Sequence, residues 1–157
     1  MNSDVLQKIN LKLISIHIFA GLLLVFAVSL IGYINDIELA NIVEKNGVNE
    51  AMKQLGPERL SNYSIWFYIA PLLGLLLSTL VSVVFFIKTK SFWFYGLFVF
   101  IALLMTNYFG LYQIENTKYI VYLLEFGLVI NVIISSAFLI IIAFTMYFIS
   151  YKISKNI

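Results

Sequence analysis

The sequence predicts an all-α integral membrane protein, a four-transmembrane-helix antiparallel bundle with short amphipathic helices in the first outer loop. Three observations predict it. Apolar stretches at residues 11–34, 64–88, 91–113 and 119–151 occupy most of the 157 residues. A helix rises about 1.5 Å per residue, so about 20 apolar residues cross a hydrocarbon core of about 30 Å, and each stretch is long enough. The composition agrees, with 62% hydrophobic and 11% charged residues, where soluble domains have about 45–50% and about 25%. Finally, the polar connections at 88–91 and 113–118 are too short for anything but antiparallel hairpins. The whole chain, 1–157, reads as a single membrane domain.

The first stretch follows Lys8 and Lys12, as a signal sequence would. At 24 residues it exceeds a signal core of about 7–15, and no small-residue cleavage site follows Ile34. It is expected to be a retained span. The second stretch carries Pro71 within two turns of its start, where a mild kink is expected. The third closes a hairpin through Lys88-Thr89-Lys90-Ser91. The fourth is 33 residues long and is expected to start at Asn116 or Thr117 as N-cap.

Lys and Arg collect on the cytoplasmic side of membrane proteins. Placing both termini and the 88–90 turn together gathers Lys8, Lys12, Lys88, Lys90, Lys152 and Lys155 against Asp4 alone. The opposite side holds Lys45, Lys53, Arg59 and Lys118 with Asp36, Glu38, Glu44, Glu50, Glu58 and Glu115. The expected location is therefore a bacterial cytoplasmic (inner) membrane with both termini inside. The heavy use of Ile, Phe, Asn and Lys points to an AT-rich bacterial genome. Tyr33, Tyr63, Trp66, Tyr68, Tyr112 and Tyr119 would mark the outer aromatic belt, and Trp93, Tyr95, Tyr147 and Tyr151 the inner one.

Residues 35–63 form the outer cap. Val48, Ala51, Met52 and Leu55 repeat at i, i+3, i+4 and i+7, one apolar stripe of a helix that stops at Gly56-Pro57. An earlier helix at about 36–45 turns Ile37, Ala40 and Ile42 or Val43 inward and stops at Asn46-Gly47. Pro57 would open a last short turn. Such a cap either lies on the lipid interface or meets an outside partner.

Within the spans, small residues mark where helices approach. Ala70, Gly74, Ser78 and Ser82 are four apart on one face, Gly127, Asn131 and Ser135 repeat that spacing, and His17, Gly21, Ser29 and Gly32 share an approximate face. These stripes read as packing seams, or as a polar path lined by the same groups. Two acidic or basic side chains lie well inside the apolar stretches, Glu125 and His17, and intramembrane ionisable groups are functional suspects. Glu125 is expected to gather a polar cluster with Asn107 and Tyr108 near the outer face, with Asn131 deeper. His17, near the inner face, reads as a packing histidine or a proton relay.

With no cysteine, disulfides, thiolate metal sites and thiol redox chemistry are excluded. One histidine and one buried acid on opposite sides of the membrane make no metal or catalytic centre, and phosphate-loop, Rossmann and nucleophile-elbow motifs are absent. A net charge of +2 without any basic run excludes a nucleic-acid partner. The expected function is non-catalytic and cofactor-free. The protein would act by protein–protein contact in the lipid bilayer, as a homo-oligomer or as the membrane subunit of a larger complex. The alternative is a small oligomeric channel or transporter with a polar path through Glu125, Asn131 and Ser135. The layout, four spans with inside termini and an enlarged first outer loop, resembles that of the membrane immunity proteins that block pore-forming bacteriocins and of small membrane subunits of phage-defence systems. That resemblance implies a role in bacterial immunity or defence.

Overall fold

The computed structural model describes residues 11–91, 93–109 and 126–155. The described chain is helical without strands. Its elements are α1 (Leu11–Ile31) with a 3-10 turn at Gly32–Ile34, α2 (Ile37–Asn46), α3 (Val48–Leu55), α4 (Pro57–Lys88), α5 (Tyr95–Tyr108) and α6 (Leu128–Lys155). Among the described residues, three helical segments are long and apolar enough to cross a membrane: Leu11–Ile34, Pro57–Lys88 and Leu128–Ser154. At 14 residues, α5 is about 21 Å long.

α1 is the hub, packing against α4, α5 and α6. It has no polar stripe, and residues on most of its circumference are buried, from Leu13 and Ile14 to Ala27 and Leu30, as expected of a helix surrounded by others. One core joins Leu13, Ile14 and Val25 of α1 to Leu75 and Phe86 of α4 and to Val99 and Leu103 of α5. A second joins Leu30 and Tyr33 to Val132 of α6. Opposite the core, α4, α5 and α6 expose rows of Leu, Ile and Phe, including Leu80, Ile101, Phe138 and Ile141.

The α1–α4 seam is close because its side chains are small. A Cβ at Gly74 would stand 2.8 Å from Val25 Cα, and one at Gly32 would stand 3.1 Å from Ala70 Cβ. Midway, the Ser78 hydroxyl donates to the carbonyls of Gly74 (2.7 Å) and, across the seam, Gly21 (3.2 Å). A Cβ at Gly21 would meet Leu103 of α5 at 2.9 Å, and one at Gly96 would overlap Val83 of α4. Gly127 is different: it precedes α6, and a Cβ there meets no described atom within 4 Å, so it makes no close helix contact among the described residues.

The cap sits on one end of this bundle. Asp36 caps α2 by accepting from the Leu39 amide at 3.1 Å. Gly47 and Gly56 end α2 and α3 with φ of +84° and +85° and ψ near 160–170°, a region open only to glycine. Leu39, Ala40 and Tyr63 form the cap's core, with Val43, Leu55, Leu60 and Leu128 around it.

Several expectations need correction. Pro57 opens no separate turn: it is the first residue of α4, whose fixed φ suits a helix start, so that helix begins at 57 rather than 64. In the third apolar stretch, 91–113, the helix starts at Tyr95, because a helix-ending turn at Thr89-Lys90-Ser91 and the turn at 93–94 delay it, and is described to Tyr108; residues 110–113 lie outside the described residues. Of the fourth, 119–151, the described part forms a helix from Leu128 to Lys155, preceded by a bend at Phe126; residues 119–125 and the caps expected at Asn116 or Thr117 lie outside the described residues. In α2, Leu39 rather than Ile37 turns inward, because it is Leu39, Ala40 and Val43 that form the stripe packed against Tyr63 and Leu60 of α4. Tyr33, Tyr63 and Tyr147 are buried instead of lining a belt, whereas Trp66, Tyr68, Trp93 and Tyr151 are exposed and Tyr95 is half-buried. Tyr112 and Tyr119 lie outside the described residues.

Candidate functional site

The most concentrated buried polar chemistry is at His17, where α1, α4 and α6 meet. Its ring is fully buried. Nδ1 lies 3.0 Å from Ser82 Oγ of α4, and Nε2 lies 3.1 Å from Ser150 Oγ of α6. Both serines are fully buried as well. A neutral imidazole has one N–H donor and one acceptor nitrogen, and a hydroxyl serves either, so both ring nitrogens are matched. Rings enclose the cluster: Phe85, Phe86 and Tyr147 have centroids 4.4, 4.5 and 5.0 Å from that of His17. The Tyr147 hydroxyl is buried in the same cluster.

Helical spacing accounts for this convergence. His17 and Gly21 lie one turn apart on α1, as Ser78 and Ser82 do on α4, and the helices run antiparallel. The Ser78–Gly21 bond therefore places Ser82 opposite His17. On α6, Ala143, Tyr147 and Ser150 follow at i, i+4 and i+7, and all three are buried. With both nitrogens engaged by hydroxyls, the arrangement clamps three helices at one level.

A second polar cluster fastens the cap. Arg59 grips Asp36 with two bonds, Nε–H donating to Oδ2 and Nη2–H to Oδ1 at 2.7 Å, and Nη2 also donates to Glu38 Oε2 at 2.9 Å. The Arg59 guanidinium bonded to Asp36 holds its carboxyl below the ordinary carboxylate range. Beneath them the Tyr63 hydroxyl donates to the Tyr33 carbonyl at 3.0 Å.

Of the residues that sequence reasoning grouped near Glu125, Glu125 itself lies outside the described residues. Asn107 is half-buried at the end of α5, and Tyr108 is 83% exposed. Asn131 is buried and its amide donates to the Phe126 carbonyl at 2.7 Å, across the start of α6. His17 does not join them. It is level with Ser150, 19 residues and hence about 28 Å along α6 from Asn131. Ser135 is buried. Sequence reasoning missed Ser150, Tyr147, Phe85 and Phe86 as partners of His17, and the Asp36–Arg59 pair. The four-residue rhythm from Asn131 through Ser135 to Ala143 and Tyr147 is the signal for Tyr147, and Ser150 lies one turn further on the same face. The cap pair, 23 residues apart, has no local signal.

Comparison with protein-family models finds no match, and no curated protein or solved structure matches the chain significantly.

Proposed function

We propose that the protein is a non-catalytic, multi-pass membrane protein that acts by protein–protein contact, as a homo-oligomer or as the membrane subunit of a larger complex. In this reading it has four spans in a bacterial inner membrane, with both termini and the 88–90 turn in the cytoplasm and the cap outside. A single observation carries the contact role. In α3, Ala51 is fully buried under the cap, while Val48 and Met52, on the same predicted stripe, remain 53% and 49% exposed. The chain thus uses part of that apolar stripe to seat the cap and leaves the rest facing outward, beside Glu50 and Lys53. An apolar stripe with a polar border fits a protein surface.

The His17 cluster supports a structural interior, because its ring nitrogens are already engaged by Ser82 and Ser150. The channel alternative has less support, since the buried hydroxyls of Ser29 and Ser78 bond backbone carbonyls instead of lining a path. The layout shared with membrane immunity proteins makes defence against membrane-active toxins the biological setting we favour.

The test is the mass of the gently extracted protein. Light scattering in mild detergent is expected to show an assembly heavier than the 18.0 kDa chain. Val48→Ser with Met52→Ser should reduce it to the monomer while helical content is unchanged. A monomer from the outset, or an assembly indifferent to both substitutions, contradicts the reading.

A further inference from the structure

The end of the bundle opposite the cap carries cations without described anions. Lys12, Lys88, Lys90 and Lys152 are all exposed there. The His17 clamp fixes their level: measured along the helices from His17, Ser82 and Ser150, Lys12 lies about 8 Å, Lys88 about 9 Å and Lys152 about 3 Å further toward that end. Phe85 and Tyr151, with ring centroids 6.3 Å apart, hold the ends of α4 and α6 side by side. Every carboxylate among the described residues, Asp36, Glu38, Glu44, Glu50 and Glu58, belongs to the cap or to the first turn of α4. No described ion pair neutralises the lysines.

One of these lysines stands where local geometry disfavours it. The end of α4 is a Schellman turn, with Ser91 N–H donating to Phe86 O at 2.9 Å and Lys90 N–H to Ile87 O at 3.1 Å. Lys90 takes the left-handed position, φ +54°, which glycine fills without strain and usually occupies. A sequence that breaks a local rule does so most often where function asks for it, and what Lys90 adds over glycine is a charge. Around the lysines lie exposed aromatic rings. Trp93 and Phe94 stack with centroids 4.0 Å apart and are 48% and 41% exposed, and Lys152 Nζ lies 4.9 Å from the Phe148 centroid. Rings of this kind sit at the headgroup level, and lysines beside them reach into the headgroup phosphates.

We infer that this lysine rim is a docking surface for the headgroups of anionic phospholipids, with Lys88, Lys90 and Lys152 as its contacts and Trp93 beside them. Charge complementarity carries the choice of occupant: an anionic leaflet supplies the counter-charge that the described residues of this end lack. The inference rests on the membrane-spanning reading above.

Trp93 supplies the probe. With Trp66→Phe the chain keeps one tryptophan. The full-length protein is placed in vesicles of phosphatidylcholine and phosphatidylglycerol, with bromine on the chains of one lipid or of the other. Brominated phosphatidylglycerol is expected to quench Trp93 well beyond its mole fraction, with a relative affinity near fivefold for each lysine engaged. The preference should shrink in 0.5 M salt and fall to unity in Lys88→Gln/Lys90→Gln/Lys152→Gln, whose circular dichroism should match the parent. Equal quenching by both lipids in the parent overturns the inference, as does a preference that survives the triple substitution. Quenching by neither lipid instead defeats the membrane reading itself.

Discussion

Burying an imidazole between three helices strips it of water, and at His17 two serine hydroxyls replace that hydration. A hydrogen bond between helices in a membrane contributes about 0.6 kcal/mol on average and rarely above about 1.7. The surrounding packing therefore matters at least as much as the two bonds. His17→Ala removes both bonds and opens a cavity among Phe85, Phe86 and Tyr147, and is expected to cost about 2–4 kcal/mol in detergent unfolding. Ser82→Ala and Ser150→Ala should each cost about 1 kcal/mol. In a double-mutant cycle, Ser82→Ala should cost less on the His17→Ala background, because the partner is already gone. Full additivity would mean that the 3.0 Å contact contributes nothing. The histidine and its burial were legible from its place in an apolar run. Its partners were not, because they lie 65 and 133 residues away, and only the packing of three helices selects them.

At the scale of elements, helix–helix distance is set by what the facing residues lack. Gly74 approaches the backbone of Val25, and backbone yields far less than a side chain would. Gly74→Ala is expected to destabilise the fold by about 1–3 kcal/mol, whereas Gly127→Ala, whose new Cβ meets no described atom within 4 Å, should change stability by less than about 0.5 kcal/mol. Similar losses at the two positions, read from thermal unfolding in the same detergent, would contradict the seam. Spacing made the 70–74–78–82 face readable, since i+4 repetition on a helix needs no tertiary information. Helix ends were less readable. Hydropathy does not distinguish a span from the turn that leads into it, so the start of α5 was placed early. Leu39 was missed in α2 because two apolar stripes, one through Ile37 and one through Leu39 and Val43, both fit so short a helix, and only packing against Tyr63 and Leu60 decides between them.

At the scale of the molecule, the chain divides its charge between two ends. Described carboxylates belong to the cap, where Arg59 ties Asp36 and Glu38 of the 35–38 segment to the start of α4. The opposite end presents lysines. Length and composition made the long apolar helices legible, because segments apolar and long enough to cross a membrane satisfy their backbone polar groups only as helices. The cap's seating was not legible, since it depends on Leu39, Ala40 and Tyr63 meeting Leu128 from the far end of the chain.

That separation of ends is the central claim, and the cysteine-free chain makes it directly testable. Single cysteines at Gln54 in the cap and at Thr89 in the lysine-bearing turn would be exposed in intact cells to a thiol reagent that does not cross the membrane. The expected result is labelling at Gln54→Cys alone, with Thr89→Cys reacting only after permeabilisation. Labelling of Thr89→Cys but not Gln54→Cys in intact cells would reverse the orientation, and labelling of both from the same side would contradict a bundle that spans the membrane.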